Sequence, residues 1–86
     1  MSNMLLNIYS LNDAVIEKQA RSVSVQTING EITVLENHEP LITPLVAGPI
    51  RVIDQNGTEE SIASDGGFIE VRPLREKNGE VNILIK

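Results

Sequence analysis

The segment Ser22–Leu35 reads SVSVQTINGEITVL and contains two short alternating runs joined by a turn dipeptide. In the first run Val23 and Val25 share one side, and the second run, EITVL, repeats the pattern. An apolar residue at every second position is typical of a strand that buries one face. Asn29-Gly30 readily supplies the positive φ angles of a type I′ turn. The segment therefore predicts a β-hairpin.

The same period of two recurs along the chain, with prolines and further Asn-Gly dipeptides between the runs. We predict strands over Met4–Ser10, Val15–Lys18, Ser22–Thr27, Glu31–Leu35, Leu41–Val46, Ile50–Asp54, Glu59–Ser64, Phe68–Pro73 and Glu80–Ile85. A single helical turn is the alternative for Asp13–Gln19. Short strands separated by frequent turns predict an all-β fold, a small antiparallel β-sandwich or flattened barrel of about eight to ten strands.

Composition narrows the class of protein. A chain of 86 residues predicts one domain, here a β-sandwich over residues 1–86. The formal net charge of -5 argues against nucleic acid, which needs clustered Lys and Arg. The absence of cysteine excludes disulfides and cysteine zinc sites. The N-terminus does not resemble a signal peptide and no apolar run is long enough to span a membrane, so we expect a soluble cytoplasmic protein.

The segment Glu36-Asn37-His38-Glu39 contains the only histidine and is the candidate for chemistry. A metal-binding or general-base role is one interpretation, and a small hydrolase that pairs His38 with a serine is another. A zinc site normally needs several His or Cys ligands, and no HExxH motif is present. We therefore predict no catalytic, metal or cofactor site, and interpret His38 as a turn or contact residue.

Short motifs follow one another in order along almost the whole chain: Leu6–Ser10, Gly30-Glu31, His38-x-Pro40-Leu41, Gly48–Val52, and Gly66-Gly67 with Glu70-Val71. In this order and spacing they resemble the N-terminal β-sandwich domain of the epsilon subunit of F-type ATP synthases. Thr33 departs from the family's usual glycine, and Glu36-Asn37 replaces its usual Pro-Gly. Members usually continue into a pair of C-terminal helices, which the resemblance does not include.

The resemblance implies a non-catalytic rotor subunit of the central stalk. Such a subunit links the gamma subunit to the polar loops of the c-ring and couples ion-driven rotation to ATP synthesis. It implies no cofactor of its own, and a peripheral position at the cytoplasmic face of a bacterial plasma membrane. The alternative is a free-standing β-sandwich that binds a small ligand or another protein.

The resemblance also implies which residues contact partners. Glu31 matches the family's ring-contacting acid. The expected interaction loop and the strand after it contribute Glu36, His38, Glu39, Pro40, Leu41 and Ile42. Apolar contacts are expected from Leu41, Ile42 and Leu45 if these side chains face outward.

Overall fold

A computed structural model describes residues 4–10, 15–36, 39–72 and 79–86. These residues form nine β-strands: β1 (Met4–Ser10), β2 (Val15–Ala20), β3 (Ser22–Thr27), β4 (Gly30–Leu35), β5 (Leu41–Leu45), β6 (Ile50–Ile53), β7 (Glu59–Ile62), β8 (Gly67–Arg72) and β9 (Glu80–Ile85). Within those ranges no helix is long and apolar enough to cross a membrane. The all-β prediction and the expected number of strands are confirmed.

The strands form two sheets. Sheet A has five strands in the order β2-β1-β9-β8-β5, and sheet B has four in the order β4-β3-β6-β7. Six of the seven pairings in the described part of the chain are antiparallel, and β1 and β9 pair in parallel. The predicted antiparallel sandwich is confirmed, with this one pair as a correction. A parallel pair needs a long crossover, which the seven intervening strands supply.

The core between the sheets is aliphatic, because every second residue of the central strands points inward. Its buried side chains are Met4, Leu6, Ile8, Ala20, Val23, Val25, Val34, Leu45, Ile50, Val52, Ile69, Val71, Val81 and Ile83. The alternation in the sequence predicts the inward position of most of them. Neither aromatic residue belongs to this cluster, since Tyr9 and Phe68 are both exposed.

Strand ends differ from the prediction by one or two residues. β2 continues to Ala20, so the helical-turn alternative is wrong for residues 15–19. β8 begins at Gly67 rather than Phe68, and the predicted end at Pro73 lies outside the described residues. Local sequence gives element type more reliably than element ends, because the last pairs of a ladder depend on the neighbouring strand.

The hairpins lie where the Asn-Gly dipeptides predict, with the turn shifted by one residue. Thr27 pairs with Gly30, so Ile28-Asn29 forms the centre of the β3–β4 turn. The β6–β7 turn repeats this arrangement, because the Gly57 N–H donates to the Asp54 carbonyl oxygen at 3.0 Å. Each glycine follows the central residues and has a positive φ, 111° and 83° respectively. A type I′ turn would place the Asn-Gly pair at the centre, so that detail is wrong. The third dipeptide, at Asn78, lies outside the described residues.

Candidate partner-binding surfaces

The predicted site residues do not share one surface. Glu31 is the second residue of β4 and points outward from sheet B, opposite Gln26. Ile42 is the second residue of β5 and is 73% exposed on the outer face of sheet A. β4 is an edge strand of sheet B and β5 is an edge strand of sheet A, so the strands before and after the predicted loop belong to different sheets.

The apolar residues after this loop point in different directions. Leu45 is only 7% exposed and belongs to the core. Leu41 packs against the core and is partly buried. The condition for an apolar contact, an outward-facing side chain, is therefore not met by Leu41 or Leu45, because the alternation of β5 turns them inward. Ile42 is the one of the three that faces outward as expected.

The rest of the loop is described in part. Glu36 is partly buried directly after β4, and Glu39 and Pro40 are exposed before β5. Asn37 and His38 lie outside the described residues, so the contact role of His38 stays a prediction.

A charged cluster formed by Gln26, Glu31 and Arg51 lies on the outer face of sheet B. The Arg51 Nη2 contacts the Glu31 Oε2 at 2.6 Å, and the Gln26 Nε2 donates to the same oxygen at 3.1 Å. Side-chain exposure is 40% for Arg51 and 36% for Glu31. The Glu31 carboxylate is thus held by strands β3 and β6 at a surface that solvent still reaches.

An apolar row crosses the outer face of sheet A. The registers place five side chains side by side, one from each strand, in the order Val15, Tyr9, Leu84, Phe68 and Pro44. All five are exposed. At a spacing of about 4.8 Å between strands the row is about 19 Å long. Scattered single apolar residues are ordinary on a protein surface, but a contiguous row marks a candidate contact surface.

A polar ladder lies beside the apolar row. Asn7 donates from Nδ2 to the Asn82 Oδ1 at 3.0 Å, and Asn82 donates from Nδ2 to the Glu70 Oε1 at 3.3 Å. Asn7 is only 5% exposed although it points away from the core. These hydrogen bonds occupy the polar groups of the outer face, while Ile42 continues the apolar surface next to Glu70.

Sequence reasoning missed the apolar row, although a signal for it exists. The alternation that places Ile69, Val71, Val81 and Ile83 in the core puts Phe68 and Leu84 on the opposite face. Two large apolar residues at positions that should face solvent are the observation that could have led to the row.

No other kind of site stands out among the residues that the structure describes. No three His, Cys, Asp or Glu side chains lie close enough to hold a metal ion there. An open depression of about 260 Å³ is lined by Gln19, Asp54, Gln55 and Asn56. Its carboxylate is already engaged, since the Asp54 Oδ1 accepts from the N–H groups of Asn56 and Thr58 at 2.9 and 3.0 Å.

Comparison with known families identifies the fold and its family. Residues 3–85 match the model of the ATP synthase Delta/Epsilon chain β-sandwich domain. The chain belongs to this family. The resemblance read from the motifs is confirmed.

Curated members of the family give the range of similarity. The chain is 40% identical over 73 residues to the ATP synthase epsilon chain of Shouchella clausii, an alignment that covers 85% of this chain and 54% of the relative. It is 37% identical over 73 residues to the epsilon chain of Acinetobacter baylyi, covering 85% and 52%. The chain thus spans about half the length of the curated relatives it matches.

Solved structures with the same fold come from two mitochondrial ATP synthases. One is a chain in an OSCP/F1/c-ring structure from Euglena gracilis, with a TM-score of 0.85, 24% identity, and coverage of 99% of this chain and 51% of that one. The other is from a central stalk and c-ring structure of Tetrahymena thermophila, with a TM-score of 0.69, 12% identity, and coverage of 94% and 63%. At these identities the likeness establishes the fold of this family member alone.

Proposed function

We propose that this domain is a non-catalytic part of the rotor of an F-type ATP synthase. In this proposal it links the gamma subunit to the c-ring in the central stalk and couples ion-driven rotation to ATP synthesis. The observation that carries the proposal is the presence of two surfaces of different chemistry on opposite outer faces of one small domain. A connecting subunit must hold two partners at once, and two separate surfaces allow this.

The outer face of sheet A is the surface proposed for gamma. Permanent interfaces are more apolar than transient ones, and their energetic centres are enriched in aromatic residues. The apolar row contains both aromatics, Tyr9 at 42% and Phe68 at 54% exposure. Ile42 extends the same face. A contact of this kind supplies affinity by burying apolar area, at about 25 cal/mol per Å².

The end of the sandwich near the charged cluster is the surface proposed for the c-ring. Glu31 supplies a charged contact there, and the loop residues Glu36, His38, Glu39, Pro40 and Leu41 are proposed as a second group of contacts with the c-ring or gamma. Glu36 follows the last residue of β4, so at about 3.3 Å per residue it lies about 17 Å from Glu31 along the strand. Exposed ion pairs contribute only about 0–1 kcal/mol each, so they set register and association rate more than affinity. Two subunits that rotate together must keep a fixed relative position, and such ion pairs help to set it.

The relatives support the same assignment. The curated ones are named ATP synthase epsilon chain, and the structures of similar fold belong to c-ring and central-stalk assemblies. As part of such a complex the domain would lie at the cytoplasmic face of a bacterial plasma membrane, peripheral to the bilayer. It needs no cofactor or metal for a mechanical role.

Calorimetric titration into the gamma subunit of the same source tests the proposal. We expect saturable one-to-one binding, and we expect Leu84→Ser to weaken it about tenfold, because a half-exposed leucine side chain loses about 1.4 kcal/mol of burial. Leu35→Ser is the matched control, since Leu35 is equally exposed on the outer face of sheet B (54% against 49% for Leu84). Absence of binding with both partners folded, or equal effects of the two variants, would contradict the proposal.

A further inference from the structure

The charge of Glu31 is compensated within the chain. The resemblance implies that Glu31 is the ring-contacting acid, and its negative charge would suit a basic group of the c-ring. In the structure its carboxylate pairs with the Arg51 guanidinium at 2.6 Å. A distant cation is attracted by Glu31 and repelled almost equally by Arg51, so the pair exerts little long-range pull on a single basic group.

The geometry of the pair leaves groups on both residues for a partner. Arg51 and Gln26 both donate to the Glu31 Oε2, and no described hydrogen bond involves the Glu31 Oε1. A guanidinium carries five N–H donors, of which the described contact uses Nη2 alone. The surface therefore presents an acceptor oxygen and several donors side by side.

Three strands and a connection hold the pair in place. Arg51 lies opposite Ser24 on β3, and the Ser24 Oγ is 2.9 Å from the Thr33 Oγ1 on β4. Gln26 packs against Gly48, where an added Cβ would lie 2.6 Å from the Gln26 Cγ. Because hydrogen bonds already join Gln26, Glu31 and Arg51, the binding of a partner costs less conformational entropy.

We propose that Arg51 is a second binding residue of this surface and that Glu31 and Arg51 are recognised together. The partner that fits has a basic group for the Glu31 Oε1 and, beside it, a carboxylate or carbonyl oxygen for the free N–H groups of Arg51. Polar loops with both kinds of group meet this requirement, whereas an isolated cation does not. This inference rests on the proposed function, which supplies the c-ring as the partner.

The test measures binding of the whole chain to a gamma–c-ring complex of the same source, with neutral amide variants that remove one charge at a time. We expect Arg51→Gln and Glu31→Gln each to weaken binding by about three- to fivefold. We expect the double variant to weaken it by no more than about fivefold, because the two residues act as a unit. Glu31→Arg combined with Arg51→Glu keeps an internal pair but reverses its direction, and we expect the largest loss there. Arg21→Gln is the control, since Arg21 is an exposed arginine outside the cluster.

The inference stands or falls on whether Arg51→Gln weakens binding. If Glu31 acts as an isolated charge, removing Arg51 exposes that charge and binding tightens or stays unchanged, which overturns the inference while the rotor proposal stands. Thermal unfolding of each variant separates a binding effect from a folding effect, and the reversed pair should unfold within a few degrees of the parent chain. Absence of binding by the unmodified chain overturns both proposals.

Discussion

The outer faces of the two sheets follow the same two-residue alternation and end up with opposite chemistry. On sheet A the outward positions form an apolar row that contains both aromatic residues. On sheet B the outward positions of β3 are polar, Ser22, Ser24 and Gln26, and the two serines are only 9% and 8% exposed. A charged pair lies beside them. The inner faces make the fold, so the outer faces are free to differ according to what they contact.

This contrast in surface chemistry suits the proposed contact with two different partners. An apolar face gains free energy by leaving water, whatever the exact orientation of the partner. A polar face whose groups already form hydrogen bonds gains little free energy from burial. It favours a partner with complementary charges and hydrogen-bonding groups. Substitutions on each face test this contrast.

Gly67→Ala should break the sheet that carries the apolar row. Gly67 has φ 149°, and a Cβ there would penetrate the Leu84 carbonyl oxygen of the neighbouring strand. We expect a loss of about 3 kcal/mol or more in the free energy of unfolding, measured by urea denaturation. Gly30→Ala is the control, because its Cβ would meet nothing within 4 Å and only the positive φ of 111° costs energy, about 1 kcal/mol. Equal losses would contradict the close approach of β8 and β9.

Asn7→Asp should disrupt the polar ladder of sheet A. Asn7 is 5% exposed and donates from Nδ2 to Glu80 and Asn82 at 3.1 and 3.0 Å. The aspartate loses both donors and places a second carboxylate beside Glu80, so we expect about 2–3 kcal/mol of destabilisation in denaturant. Asn82→Asp keeps an acceptor for Asn7 but loses its own donor to the Glu70 Oε1 and brings two carboxylates together. We expect it to destabilise the domain too, but less than Asn7→Asp, because Asn82 is only partly buried. A loss below about 0.5 kcal/mol for Asn7→Asp would show that the ladder does not stabilise this face.

Ser24→Ala removes the corresponding hydrogen bond on sheet B. The Ser24 Oγ and the Thr33 Oγ1 are 2.9 Å apart between β3 and β4. We expect about 1 kcal/mol of destabilisation for Ser24→Ala. In a double-mutant cycle with Thr33→Val, we expect the coupling energy between the two residues to account for most of this loss. A coupling energy near zero would mean that the two hydroxyls are satisfied independently.

Lys18→Ala should have the smallest effect. Lys18 on β2 of sheet A pairs with Glu60 on β7 of sheet B, so this ion pair bridges the two sheets at one edge. The Glu60 side chain is 53% exposed, and solvent screens the pair. We expect a change of at most about 1 kcal/mol that disappears in high salt. A larger loss of stability that does not depend on salt would indicate that the aliphatic part of the Lys18 side chain stabilises this edge by packing between the two sheets.

The fold could be read from the sequence because its signals are local. Period-two alternation and Asn-Gly dipeptides predict all nine strands within one or two residues at each end. The parallel pairing of β1 with β9 could not be predicted. It depends on which strand completes sheet A, a choice between partners more than 70 residues apart that no local pattern encodes.

The candidate surfaces were predictable only in part. Glu31 and Ile42 face outward as the motif positions imply, whereas Leu41 and Leu45 turn inward with the alternation of β5. The pairing of Glu31 with Arg51 needs the strand order β4-β3-β6, and the apolar row needs four registers at once. Such sites are products of tertiary structure and become visible only when the sheets are assembled.

Single-cysteine footprinting tests the central claim, that the two outer faces bind different partners. The chain contains no cysteine, so Leu84→Cys and Thr33→Cys each introduce one reactive thiol, on sheet A and sheet B respectively. The rate of maleimide labelling, read from the mass of this chain, is measured for the free chain, with gamma, and with the gamma–c-ring complex. We expect gamma alone to protect the cysteine at position 84, and we expect the cysteine at position 33 to be protected only when the ring is present. Protection of both thiols by gamma alone, or labelling at position 84 at the free rate in the full complex, would contradict it.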